Sequence, residues 1–176
     1  DYLLGADGSD ALWGGEGHDT LLGGDGSDVL YGEDGSDSID GGNGHELIYG
    51  GAGEDSMSGG TGADSLYGGA DNDTLEGDSS TDQLFGGAGN DSIIGGTGAD
   101  TLYGGEGNDT IFGNTALDTI YGEGGDDYIS SGDGVDYVDG GSGNDTIFGR
   151  SGWDSLFGGA GDDVIKGGRD SDGIDA

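Results

Sequence analysis

The sequence predicts an all-β fold, a parallel solenoid whose short strands stack coil upon coil. Three observations predict it. A nine-residue unit recurs nineteen times, without insertion or deletion, from Gly5 to Asp175. Its sixth position is Asp in eighteen of nineteen units, from Asp10 to Asp172, with Glu46 the exception. Its eighth position is always apolar, from Leu12 and Leu21 through Met57 to Ile174. A strict period of this kind marks a repeat architecture, in which each unit buries its apolar face only against its neighbours.

Within the unit, shown by GGEGNDTIF at Gly104–Phe112, each position has a physical task. Glycine fills positions one, two and four in 18, 13 and 15 of the 19 units, and position one is Gly everywhere except Ser131. Glycine allows φ > 0 and a tight turn that can point backbone carbonyls inward. Position six places a carboxylate at the turn's exit. Positions seven to nine alternate as a strand does, with position eight facing one way and seven and nine the other. The unit is therefore expected to be a loop of about six residues followed by a strand of about three. Two units, or eighteen residues, close one flattened coil with a sheet on each side. At roughly 4.8 Å per strand the body is about 45 Å long.

Composition alone suggests disorder: of 176 residues only 30% are hydrophobic, 48 are Gly, and the formal charge is −35. The strict register argues for a fold instead. There is no cysteine, so disulfides do not hold the chain together. No apolar run approaches a membrane span and no signal peptide opens the sequence. Arg150, Lys166 and Arg169 are the only cationic side chains besides two histidines, which makes nucleic acid and anionic membranes poor partners. Cations are the expected partners. Carboxylates stacked one coil apart repel by about 3 kcal/mol per neighbouring pair at an effective dielectric near 20. The metal-free chain is expected to be disordered.

A hard divalent cation relieves that repulsion. Calcium takes roughly six to eight oxygens from carboxylates and carbonyls in flexible geometry, whereas magnesium demands a tighter octahedron. Zinc would want His or Cys, and only His18 and His45 exist. One ion between each pair of loops stacked one coil apart gives up to about 17 Ca2+, whose +34 nearly cancels −35. The expected carboxylate ligands on the even-unit side are Asp19, Asp37, Asp55, Asp73, Asp91, Asp109, Asp127, Asp145 and Asp163. On the odd-unit side they are Asp10, Asp28, Asp64, Asp82, Asp100, Asp118, Asp136 and Asp154. Loop carbonyls are expected near Gly14, Gly17, Gly23, Gly26, Gly50, Gly53, Gly86, Gly89, Gly104, Gly107, Gly140, Gly143, Gly158 and Gly161.

The units GGDGSDVLY (Gly23–Tyr31), GGAGNDSII (Gly86–Ile94) and GGSGNDTIF (Gly140–Phe148) resemble the RTX, or haemolysin-type, calcium-binding nonapeptide repeat. The resemblance covers essentially the whole chain. It implies an all-β, right-handed parallel β-roll of about nine coils, with calcium held between successive loops by the position-six Asp and loop carbonyls. It also implies a bacterial protein secreted by a type I exporter that folds outside the cell. On this basis residues 1–176 are expected to form a single repeat domain, a fragment of a larger secreted or surface protein, folding on calcium to serve its secretion. The alternative is a structural spacer or interaction module of a cell-surface adhesin or surface-layer protein.

The two sides differ in detail. Even loops keep close to pattern, whereas odd loops decay from Gly41–Glu46 onward, as in GDSSTD at Gly77–Asp82 and GNTALD at Gly113–Asp118. A continuous calcium row is therefore expected on the even side and a patchy one on the odd side. Position nine of the odd units reads Trp13, Tyr31, Tyr49, Tyr67, Phe85, Tyr103 and Tyr121. This stripe is either a self-stacking ladder that stiffens the sheet or a docking surface for a neighbouring domain or partner.

No catalytic constellation emerges. In the pairs Asp126–Asp127 and Asp162–Asp163 the second acid belongs to the position-six column. His18 and His45 are expected to be solvated loop residues, and fragments of GxGxxG follow from the glycine period. Thr at position three occurs only at Thr61, Thr97 and Thr115, too irregular for an ice-binding rank.

Overall fold

The computed structural model describes residues 1–176 as twenty strands without a helix. The first four, β1 (Tyr2–Asp7), β2 (Ala11–Glu16), β3 (Thr20–Gly26) and β4 (Val29–Asp34), set the pattern for the rest. Successive strands alternate between two ten-stranded parallel sheets. Each pairs with the strand eighteen residues on, Leu3 beside Leu21 in β1 and β3, Leu12 beside Leu30 in β2 and β4. Two nine-residue units therefore make one coil. The ten odd units supply one sheet, and the nine even units supply the other together with β1, which begins in the partial unit that precedes Gly5.

The strands are longer than expected. Most run for six residues, from position seven of one unit through position three of the next. Register continues past the apolar triplet, with Gly15 beside Glu33 and Glu16 beside Asp34. A left-handed residue at position two bends the ladder without ending it. Only positions four to six remain outside the sheets, as Gly8–Ser9–Asp10 do between β1 and β2.

Position eight forms the core, one side chain deep between the sheets. Sixteen residues from Leu21 to Leu156 are 0–2% exposed, and Leu3, Leu12 and Ile165 pack against them at the two ends. Full burial of such a side chain contributes about 1.5–3 kcal/mol.

Glycine is required for two different reasons. At position two every residue has φ > 0, and all ten left-handed non-glycine residues lie at position two (Ala6, Glu33, Asp78, Asn114, Glu123, Arg150) or four (Asp71, Ser80, Ala116, Asp170). The loops that lost glycine thus keep the turn, at a cost of roughly 1–2 kcal/mol per residue. Position one, contrary to the sequence expectation, is not left-handed. Its constraint is steric: a Cβ on Gly104 would collide with Oδ2 of Asp109 and lie 2.7 Å from the carbonyl oxygen of Gly122. Ser131 adapts to this tight position by donating its hydroxyl to the Gly149 carbonyl at 3.0 Å. The loop Gly77–Asp82 departs most from the pattern, since its preceding strand shrinks to Thr74–Glu76 and pairing resumes only as bridges at Ser79. Loss of glycine is not sufficient for this: Asn114 lies within a regular strand, Thr110–Thr115, and Ala116 directly follows it.

Trp13, Tyr31, Tyr49, Tyr67, Phe85, Tyr103 and Tyr121 stack face to face, with centroids 4.6–5.7 Å apart and planes within 14° of parallel. Where Asp139 interrupts the column, the contact continues through Tyr137 and Phe157 at 5.8 and 5.4 Å, now tilted. This arrangement supports the stiffening role. On the other sheet the Phe148 ring lies between the Arg150 guanidinium at 4.8 Å and the Lys166 ammonium at 5.0 Å. No helix is long and apolar enough to cross a membrane.

Candidate metal centre

The turn at positions four to six, closed by left-handed backbone, folds the position-six carboxylate inward beneath its own loop. One oxygen completes the backbone. Apart from Asp28, the amide of each position-six residue as far as Asp154 donates to Oδ1 of the aspartate one coil on, from Asp10 to Asp28 at 2.8 Å through to Asp154 to Asp172 at 3.2 Å. The amine of Asp1 bonds Asp19 in the same way. Such charge-assisted bonds are stronger than neutral ones.

The other oxygen is left over. In all seventeen aspartates expected as ligands, Oδ2 is buried with no hydrogen-bond partner. A buried carboxylate oxygen without a partner is costly. Native proteins pair such groups or place them on a metal, so the repetition of one orphan per loop points to a cation.

The carbonyls expected as ligands fall into two sets. Those at position one lie on the inner face beside the free oxygen: the space a Cβ on Gly95 would enter holds Oδ2 of Asp100 at 2.7 Å and the Gly113 carbonyl at 3.0 Å. Those at position four point along the coil axis, so that a Cβ on Gly107 would run into the carbonyl of Gly89 one coil before. No hydrogen bond outside the strand ladders is accepted by a position-four carbonyl. In the units of Asp136 and Asp154, Oδ1 approaches position four as well, 2.6 and 3.2 Å from Cβ positions built on Gly134 and Gly152. No three carboxylates or imidazoles converge at one point. A cation here would be held by few carboxylates and several carbonyls, an all-oxygen set that suits a hard ion with flexible coordination.

Electrostatics follow the burial. Burial first, and repulsion from stacked neighbours after it, push Asp73, Asp82, Asp118 and Asp127 up to about 7, against the lowering effect of the amide bonds. The same causes raise Asp55 and Asp109 to about 6. Glu46 rises to about 8, through burial and then its contact with Asp64. Groups held in an environment that penalises their charge gain most from a neighbouring cation.

Odd and even sides share this carboxylate geometry. Asp64, Asp82, Asp100, Asp118, Asp136 and Asp154 are as buried as their even counterparts and carry the same free oxygen. The decay of the odd loops appears in their backbone and not in the placement of the acids.

Two features were not evident from the repeat columns. Position five of the even loops carries its own ladder: Asn72, Asn90, Asn108, Asp126 and Asn144 each accept the position-five amide of the next coil, at 2.7–3.0 Å. His18 and His45 are exposed, as expected, yet their Nδ1 atoms take the same role toward Ser36 and Ala63. A polar acceptor at position five recurring every eighteen residues was the available signal.

The model of the RTX calcium-binding nonapeptide repeat fits in overlapping copies at residues 1–21, 13–45, 22–57, 49–84, 58–93, 85–116, 103–138, 112–147 and 148–176, which together span the chain. No curated relative matches.

Proposed function

Because the chain belongs to the RTX calcium-binding nonapeptide repeat family, we propose that it is a calcium-dependent β-roll, disordered without the ion, that folds outside the cell and serves the secretion of a larger protein exported by a type I system. The observation that carries this is the buried, partnerless Oδ2 repeated in seventeen aspartates. Calcium, when bound, supplies positive charge and oxygen coordination between loops one coil apart. The position-six aspartates would hold it with Oδ2 while Oδ1 keeps the backbone ladder, and carbonyls at positions one and four would complete the oxygen set.

The sequence explains why such a module can wait unfolded. A charge of −35 spread over 176 residues opposes collapse until it is neutralised, which suits passage through an exporter in extended form. Family members are typically secreted by type I systems, and an extracellular location follows from that. The role is non-catalytic, since Asp127 and Asp163 of the acid pairs belong to the position-six ladder and Asp126 to the position-five ladder.

Equilibrium dialysis with elemental analysis tests the stoichiometry. Up to about 17 calcium ions per folded chain are expected, one between each pair of loops stacked one coil apart. Two or three ions per chain, with the fold intact, would sink the proposal.

A further inference from the structure

The geometry points to Glu46 as a calcium ligand of a second kind, a two-oxygen carboxylate that replaces the backbone rung between the loops Gly23–Asp28 and Gly41–Glu46. This rests on the calcium proposal above. At the other rungs one carboxylate oxygen accepts the amide from the preceding coil and one is free. At Glu46 no rung of normal hydrogen-bond geometry forms: the Asp28 amide stays near the carboxylate but bonds neither oxygen, and Oε1 and Oε2 are both buried with no partner. Glu46 is only 3% exposed, so solvent does not satisfy them either.

The extra methylene is the cause. Cγ of Glu46 occupies the space beside Gly41, 2.8 Å from where a Cβ would stand, where an aspartate would already present its carboxylate. The carboxylate is carried onward toward position four, with Oε1 2.6 Å from a Cβ position built on Gly44. Oε1 thus lies inside the turn and Oε2 is buried as well, while the backbone amide of Glu46 still donates to Asp64 at 2.8 Å and keeps the next rung.

A carboxylate offering two oxygens suits calcium, which accepts bidentate ligands at roughly 2.3–2.6 Å, and not magnesium, which holds to a regular octahedron at about 2.0–2.1 Å. The rung between Asp28 and Glu46 therefore depends on the ion alone, whereas the others join a hydrogen bond to it. It is the seam at which the first coils part from the rest when calcium is withdrawn.

A crystal structure of the calcium-loaded chain tests the first half. Both Glu46 oxygens are expected on one ion while neighbouring aspartates give one each. Ions at other loops with Glu46 giving one oxygen or none would overturn this inference and leave the calcium proposal standing. Ions at no loop would overturn both. Hydrogen exchange tests the second half with Glu46→Asp, whose shorter side chain restores the rung. The Asp28 amide should exchange about tenfold more slowly than in the parent, as expected for one added hydrogen bond, with the Asp64 amide unchanged. Equal rates at Asp28 would show that no rung was missing.

Discussion

The backbone amide of Asp91 donates to Oδ1 of Asp109, eighteen residues on, at 2.8 Å, while Oδ2 of Asp109 is buried with no partner. One carboxylate thus has two separable roles. One oxygen stitches successive coils together, and the other is held ready for a cation.

Two substitutions separate these roles. Asp109→Asn can keep an acceptor for the Asp91 amide but puts an amide donor where the free oxygen stood. It should fold only at higher calcium, with the ladder retained. Asp109→Ala removes both oxygens and strands a buried amide, at a further cost of about 1–3 kcal/mol. Calcium titrations followed by circular dichroism should rank the midpoints parent, Asn, Ala. Equal midpoints for the two variants would mean that the ladder bond contributes nothing.

Adjacent glycine positions should respond with opposite sign. Gly104→Ala drives a methyl group into the Asp109 carboxylate and the Gly122 carbonyl, so a loss of about 1–3 kcal/mol is expected. Glu33→Gly relieves a residue held at φ 77°. Relief of roughly 1–2 kcal/mol less about 0.5–1 kcal/mol of unfolded-chain entropy leaves a gain of up to about 1.5 kcal/mol. Thermal melts at saturating calcium measure both.

In chelator, acid should favour the fold. An unfolded aspartate titrates near about 3.9, whereas the folded chain holds Asp73, Asp82, Asp118 and Asp127 up to about 7. The folded state therefore binds more protons between those values. The stability these groups contribute is fully present below about pH 4 and is lost as pH rises through about 7. Circular dichroism in chelator from pH 8 down to pH 4 should show ordered structure increasing. A signal that is flat, or that falls on acidification, would contradict the burial of these carboxylates.

The aromatic column should behave as a stabilising stack. Tyr67 lies 4.9 Å from Tyr49 and 4.6 Å from Phe85, nearly parallel to the Phe85 ring. Each such pair contributes about 0.5–1.5 kcal/mol beyond its buried area. Serine at Tyr49, Tyr67 and Tyr103 should lower the melting temperature of the calcium-loaded chain, with the Tyr49 and Tyr67 effects non-additive because their rings touch. Melting temperatures unchanged, with loss of association to a flanking domain, would instead establish the stripe as a docking surface.

Much of this was legible in the sequence because a solenoid ties every side chain to its column. Eighteen-residue pairing, the one-layer core from Leu21 to Leu156 and the inward carboxylates follow from periods of nine and two. What stayed hidden depends on contacts between columns. Nothing in a single unit shows that Gly104 is needed because a carboxylate and a carbonyl occupy the place of its side chain. Nor does a unit show that Glu33 or Asn114 will hold a left-handed φ, since their neighbours in the ladder impose it. Strand length was underestimated for the same reason: positions one to three, led by glycine at the first two, read as loop until the neighbouring coil pairs with them.

The most direct measurement is circular dichroism of the whole chain against calcium concentration, with magnesium and chelator as controls. The account predicts a disordered spectrum in chelator at neutral pH, a cooperative gain of β-structure with calcium, and little response to magnesium. A chain equally folded in chelator and in calcium would contradict it.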